Sequence, residues 1–137
     1  MPFAIKSEIL DPHAATFVLN AQKTMYGGKH IASGDEAFVF ASENEGGAGL
    51  IAAGIVTAAE AEPRASGVAR QTPRVSVVVR RTAVATRPMG RRELKPFSAW
   101  TDGRPETELN FKLYRQATDK LVGVSDATAA FLDNSFR

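Results

Sequence analysis

The chain has no cysteine and only two histidines, and each scarcity removes a class of chemistry. Without cysteine there is no disulfide framework, no thiolate metal site and no cysteine nucleophile. His13 and His30 stand apart, with none of the companion spacing of a zinc motif. Neither a metal site nor a cofactor site is expected. No apolar run approaches the roughly 18 residues of a membrane span. The longest, Leu50 to Ala59, is broken by Gly54 and Thr57. Lys6 and Glu8 stand where an export signal needs an unbroken apolar stretch. These absences fit a reducing, cytoplasmic setting without a membrane partner. No serine occupies a nucleophile elbow, and no catalytic residue is assigned. Gly47-Ala48-Gly49-Leu50-Ile51-Ala52 has dinucleotide-fingerprint spacing, yet Ile55, Val56 and Thr57 favour a strand where that motif should open a helix. A hairpin turn is the expected role.

What is present suits one domain. A chain of 137 residues that is 44% hydrophobic can bury one core without staples. Seventeen basic and fifteen acidic residues leave a net charge of only +2, so the total says little about partners. The distribution says more. Arg64, Arg70, Arg74, Arg80, Arg81, Arg87, Arg91, Arg92 and Lys95 follow one another with only Glu93 opposed, while acids gather at 35–45 and 102–108. A solvated charged face explains such a run. A polyanion-binding surface explains it too, and the excess of arginine favours phosphate, which guanidinium pairs bidentately. On that reading Arg74, Arg80, Arg81, Arg87, Arg91, Arg92 and Lys95 hold a nucleic-acid backbone.

The apolar patterning predicts α+β. Phe3 to Ile9 reads as a strand. Asp11-Pro12 reads as a helix start, with Ala14, Phe17, Val18, Ala21, Gln22 and Met25 at helical spacing before Gly27-Gly28 ends the helix. Ala37–Ala41 and Leu50–Ala58 predict a hairpin across the polar SENEGGAG connection. Residues 60–73 read as a long mobile loop. Arg74 to Ala85 is the clearest strand, closed by Pro88. Gly90–Lys95 suits a short helical turn, and Leu109–Tyr114 fits a strand or a helix equally. Leu121–Val124 reads as a strand. Ser125 is a good N-cap for a helix ending near Leu132. Irregular alternation of strands and helices argues against a doubly wound sheet. Tyr26, Phe97, Trp100 and Tyr114 flank polar or basic segments. They either plug one end of the core or form a stacking platform beside the arginines.

The stretch Ile31-Ala32-Ser33-Gly34-Asp35-Glu36-Ala37-Phe38-Val39-Phe40-Ala41-Ser42 resembles the signature of the EVE branch of the PUA-like superfamily. Leu50-Ile51-Ala52-Ala53-Gly54-Ile55-Val56 looks like its partner strand, and Lys120-Leu121-Val122-Gly123-Val124-Ser125 with the last helix looks like the family's C-terminal unit. An ASCH-like branch is equally compatible. The family's Trp-rich opening and arginine-bearing segment are replaced here by Met25-Tyr26-Gly27-Gly28-Lys29. The resemblance implies a single PUA-like β-barrel over residues 1–137 with peripheral helices. It also implies a DNA or RNA partner, a pocket near Phe40 and Ser42, and a function as a non-enzymatic reader of nucleic acid or of a modified base. Tyr26, Phe40, Ser42, Phe97 and Trp100 are then the candidate ligand-binding residues. Two alternatives stand beside this. A small hydrolase acting on a modified nucleoside would need Lys29, Thr57 and Glu43 in one pocket. An interaction module would use the arginines only as a solvated face.

Overall fold

The computed structural model describes the chain apart from residues 65, 68–70 and 117–118. Six strands close into a barrel in the order β1-β3-β4-β5-β2-β6. They are β1 (Phe3–Ser7), β2 (Thr16–Met25), β3 (Glu36–Ala41), β4 (Gly49–Ala61), β5 (Arg74–Val84) and β6 (Lys120–Gly123). β1 runs parallel to β3 and antiparallel to β6, and β2 runs parallel to β6. The expected hairpin is the β3–β4 pair, and the expected strands at 3–9, 74–85 and 121–124 are β1, β5 and β6.

The expected helix over 11–25 is a strand instead, and the reason lies in one bulge. Phe17 and Leu19 point into the barrel while Val18 is 63% exposed, the two-residue period of a strand. The register then shifts between Leu19 and Gln22, with Ala21 at a φ of 50°. The extra residue turns Gln22 and Thr24 inward rather than Ala21 and Lys23. Inward positions 17, 19, 22 and 24 break strict alternation, and the helical reading drew on Val18, which faces solvent. Asp11 caps only a turn, accepting from the His13 and Ala14 N–H groups. This strand pairs with β5 and β6 and thereby closes the barrel.

The interior is apolar. Phe3, Ile5, Phe17, Leu19, Val39, Val56, Val75, Val77, Val79 and Leu121 are buried there, and each side chain removed from water contributes about 1.5–3 kcal/mol. A second apolar layer lies outside the barrel, where short helices cover β1, β3 and β6. α1 (Arg91–Leu94) supplies Leu94, and α2 (Pro105–Leu109) continues into a π-helical turn, Asn110–Tyr114. That settles Leu109–Tyr114 as helical. α3 (Asp126–Asp133) begins as expected at Ser125, whose hydroxyl accepts from the Thr128 N–H. Leu109, Leu113 and Leu132 pack onto Ala4, Phe38, Phe40 and Val122.

Two glycines are demanded by close approach. Gly49, at a φ of 83°, lies where a Cβ would come within 2.6 Å of the Met89 carbonyl oxygen. At Gly54 a Cβ would meet the Arg80 carbonyl oxygen at 2.4 Å. Gly49 opens a strand, so the glycine-rich stretch is the hairpin turn expected of it and no dinucleotide loop. The expected 60–73 loop is shorter than its sequence span, because β4 reaches Ala61 and Glu62 still donates its N–H to Arg74 O. Residues 65 and 68–70 of that loop lie outside the described residues.

Candidate nucleic-acid interface

β1 is buried on both faces. Phe3 and Ile5 point into the barrel, so alternation sends Ala4 and Lys6 to the outer face beneath the helices. Lys6 stands directly opposite Lys120 of β6 and beside Phe40 of β3. Both lysines are 1% exposed. Like charges facing each other across a ladder are destabilising, and burial adds to the cost. Burial is also what lowers both ammonium pKa values, before any effect of their charged neighbours. The Lys6 ammonium lies 5.0 Å from the centre of the Tyr114 ring and makes no hydrogen bond among the described residues.

Other polar groups gather at this end of the barrel, where β1 and β3 finish and β6 begins. Ser42 donates its N–H to Ser7 O, but its buried hydroxyl has no partner among the described residues. The same holds for Asp119 Oδ1, while Asp119 Oδ2 accepts from the Glu8 N–H at 3.3 Å. Tyr114 donates its hydroxyl to Glu43 Oε1 at 3.1 Å, and burial with the Glu43 carboxylate pushes the phenol far above its ordinary range. It therefore stays a neutral donor. Glu43 Oε2 accepts from the Arg91 N–H at 2.7 Å, and the Arg91 guanidinium lies 5.9 Å from the same ring. A bond to Glu8, then partial loss of hydration, then a bond to Asp119 raise the Glu45 carboxyl to about 7. Donors, acceptors and an aromatic ring thus gather at one place beneath the helical cover, with Lys6 and Ser42 each 1% exposed.

The expected ligand residues fall in different places. Ser42 belongs to this patch. Phe40 flanks Lys6 but is wholly buried against the helices, so its ring is core. Phe97 is half-buried, its carbonyl accepting from Asn110 Nδ2 at 2.9 Å. Trp100 is 75% exposed and no core plug. It lines a cleft of about 250 Å³ with Tyr26, Arg104, Thr107, Phe111 and Lys112, away from Lys6 along the 105–114 helix.

The arginines divide as well. Arg74 donates to Ala21 O and Arg81 to His13 O, so both brace β2 and its approach. Arg80 is exposed on β5. Arg91, Arg92 and Lys95 are exposed in and just after α1, and of these Arg91 adjoins the Lys6 patch. Arg87 is exposed just after β5, where its N–H donates to Ser135 O. Lys29, Thr57 and Glu43 keep separate company. Lys29 lines a cleft with Arg64 and Arg74, Thr57 bonds Val78 O, and Glu43 holds Tyr114 and Arg91.

Sequence reasoning missed Lys6, Glu8, Tyr114, Asp119 and Lys120 as a group. One signal was available: a lysine on the same strand face as Ala4, in a segment otherwise apolar up to Ser7.

No family model matches the chain, and no curated protein matches it in sequence. Solved structures do match in fold. A Pseudomonas putida protein superposes over 100% of both chains with a TM-score of 0.65 at 16% identity. The DUF55 domain of human thymocyte nuclear protein 1 matches over 98% of each chain, with a TM-score of 0.63 at 16% identity. The fold is that of a PUA-like barrel. Human THYN1 protein in complex with 5-methylcytosine-containing DNA also matches the barrel, over 99% of this chain and 98% of that one, with a TM-score of 0.63 at 16% identity. No helix among the described residues is long and apolar enough to cross a membrane.

Proposed function

We propose that this PUA-like barrel is a non-enzymatic nucleic-acid reader that takes a modified base onto the Lys6 patch. The observation that carries the reading is the buried Lys6 ammonium, opposed by Lys120 and without a hydrogen-bond partner among the described residues. An unsatisfied buried donor costs about 1–3 kcal/mol, more when charged, and such groups are kept where a ligand completes them. Lys6 and Ser42 are each 1% exposed, so the reading requires the 105–114 cover to shift; the Lys6 ammonium and Ser42 hydroxyl would then donate to base acceptors, Asp119 would accept from an exocyclic amine, and the Tyr114 ring would bound the base. Extruding a base from a duplex to reach such a patch costs a few kcal/mol and is cheapest at weakened or single-stranded sites. Arg91, with Arg92 and Lys95 in and beside the same short helix, is placed to hold the flanking phosphates. A neighbour of the same fold that binds 5-methylcytosine-containing DNA makes that modification the first to try.

The test is fluorescence anisotropy with single-stranded and duplex oligonucleotides carrying one 5-methylcytosine, 6-methyladenine or no modification. Preference for one modified base, lost in Lys6→Met, supports the reading. Equal affinity for every oligonucleotide, unaltered by Lys6→Met, removes it.

A further inference from the structure

We infer that the cleft between Trp100, Tyr26 and Phe111 is a second nucleic-acid subsite, which stacks unpaired bases of the strand flanking the base read at Lys6. This deepens the proposed function and rests on it.

Three observations point there. First, large aromatic surface is left in water: Trp100 is 75% and Tyr26 52% exposed, and both line one cleft with the half-buried Phe111. Second, Tyr26 is held at a φ of 52°. A bulky residue in the left-handed region is strained by roughly 1–3 kcal/mol, and such strain collects at binding sites. Glycine or asparagine would relieve it, so the ring itself is what the position keeps. Third, cations accompany the rings. The Lys112 ammonium lies 5.1 Å from the Tyr26 ring centre, the Arg115 guanidinium lies 5.0 Å from that of Phe111, and Arg104 lines the cleft.

Two carboxylates stand at or beside the wall, and both are already answered: Asp102 accepts from the Arg104 N–H at 3.0 Å, and Glu108 is more fully bonded. Glu108 takes Lys112 Nζ at 3.0 Å on one oxygen, with the hydroxyls of Ser125 and Thr128 at 2.6 Å on the other. Burial pushes its pKa up, yet these bonds outweigh burial and hold it below the usual range. Rings interleaved with cations are what an unpaired strand binds without sequence preference, since every base offers a π face.

The layout also gives a path. Phe111 lines both this cleft and a second hollow with Asn110 and Arg115, and Tyr114 of the Lys6 patch lies on the same π-helical turn. Thr107 and Tyr114 are about 10 Å apart along the helix at ~1.5 Å per residue. That puts a base at Lys6 and its neighbours over Phe111 and Trp100 within one short strand. A π-helical turn is rare and recurs at functional sites.

Trp100 is the only tryptophan, so its fluorescence reports this cleft alone. The probes are 5-methyldeoxycytidine monophosphate and a single-stranded DNA of about nine nucleotides with one central 5-methylcytosine, beside its unmethylated twin. The strand should quench Trp100 and the mononucleotide should not. Trp100→Ala and Tyr26→Asn should each weaken the strand by about 5- to 150-fold, with melting temperatures close to that of the parent and the 5-methylcytosine preference kept. Lys6→Met should abolish the preference and leave the quenching. A strand that binds with the expected preference but leaves Trp100 emission unchanged overturns the cleft and spares the base-reading site. Quenching without preference does the reverse. A strand that does not bind at all overturns both.

Discussion

Two adjacent steps of one ladder carry opposite chemistry. Ala4 faces Val122, and two residues along the same strands Lys6 faces Lys120. Both pairs are on the outer face of the barrel, both are buried, and the 105–114 helix shields both. At the first step the pair packs into an apolar layer with Leu109 and Leu113. At the second the same geometry confines two ammonium groups, one without a hydrogen-bond partner among the described residues. Packing explains the first step completely. It makes the second unfavourable, and that conflict is what the proposed reading rests on. Conflict between stability and local chemistry is the usual mark of a functional site.

Moving the charge one step breaks the comparison most severely. Ala4→Lys would drive a long cation under Leu109 and Leu113, combining overpacking with an unpaired buried charge. Destabilisation above about 4 kcal/mol is expected, enough to unfold a marginal domain. Circular dichroism melts would check this. A variant melting within a few degrees of the parent would mean that the apolar step tolerates a buried cation as the lysine step does.

The reverse exchange sharpens the contrast. Lys6→Met removes the ammonium and keeps the length, so the melting temperature should stay or rise. Replacing buried charges by apolar groups is often neutral or stabilising by about 1–4 kcal/mol. Base preference should vanish in the same variant. A large loss of stability would instead make Lys6 a structural residue.

How far these two steps could be read from sequence differs in a telling way. β5 alternates with a two-residue period, and β3 and β4 are apolar runs bounded by polar turn residues, which is why the hairpin and the longest strands were legible. Ser125 announced its helix by capping chemistry alone. β2 was hidden by the bulge at Ala21, since a single inserted residue breaks the alternation that marks a strand. The lysine step was hidden by distance. Lys6, Ser42, Tyr114 and Asp119 come from four separate segments, and only barrel closure with the helical cover brings them to one place. Trp100 and Tyr26 were legible as aromatics beside polar segments, but their shared cleft depends on the Tyr26 turn and on α2. The basic run read as one surface is two, because Arg74 and Arg81 hold carbonyls of β2 and its approach while Arg91 borders the lysine patch.

That division predicts a smaller effect. Replacing Arg91 and Arg92 together by alanine should weaken binding to all oligonucleotides alike. The slope of log affinity against log salt should flatten by roughly 1–2, since each phosphate contact contributes about 0.7–0.9. Arg74→Ala and Arg81→Ala should lower stability and leave the slope alone. If the slope answers to the β5 pair and not to the α1 pair, the phosphates run over β5 and away from the lysine patch.

The smallest effect concerns acid rather than base. The Glu45 carboxyl is raised to about 7 chiefly by its bond to Glu8, then by partial loss of its hydration and by a bond to Asp119, against an ordinary value of about 4.5. A raised folded pKa means the folded state favours the protonated form. Its contribution to stability is fully present below about pH 4.5 and is lost as pH rises through about 7. Glu108 acts in a different window. Its lowered pKa gives stability above its ordinary value that is lost only as pH falls below it. Glu36, raised by burial and by Asp133, acts in the same direction as Glu45, so the parent alone cannot isolate the term. The difference between parent and Glu45→Gln does isolate it. Between pH 5 and pH 8 the parent should lose more melting temperature than the variant, by a small margin because Glu45 is solvent-exposed and screened. Deprotonation also adds an anion beside Lys6, so affinity for a DNA strand should decline over the same window in the parent and stay flatter in the variant. Parallel pH profiles for the two proteins would detach Glu45 from the lysine patch.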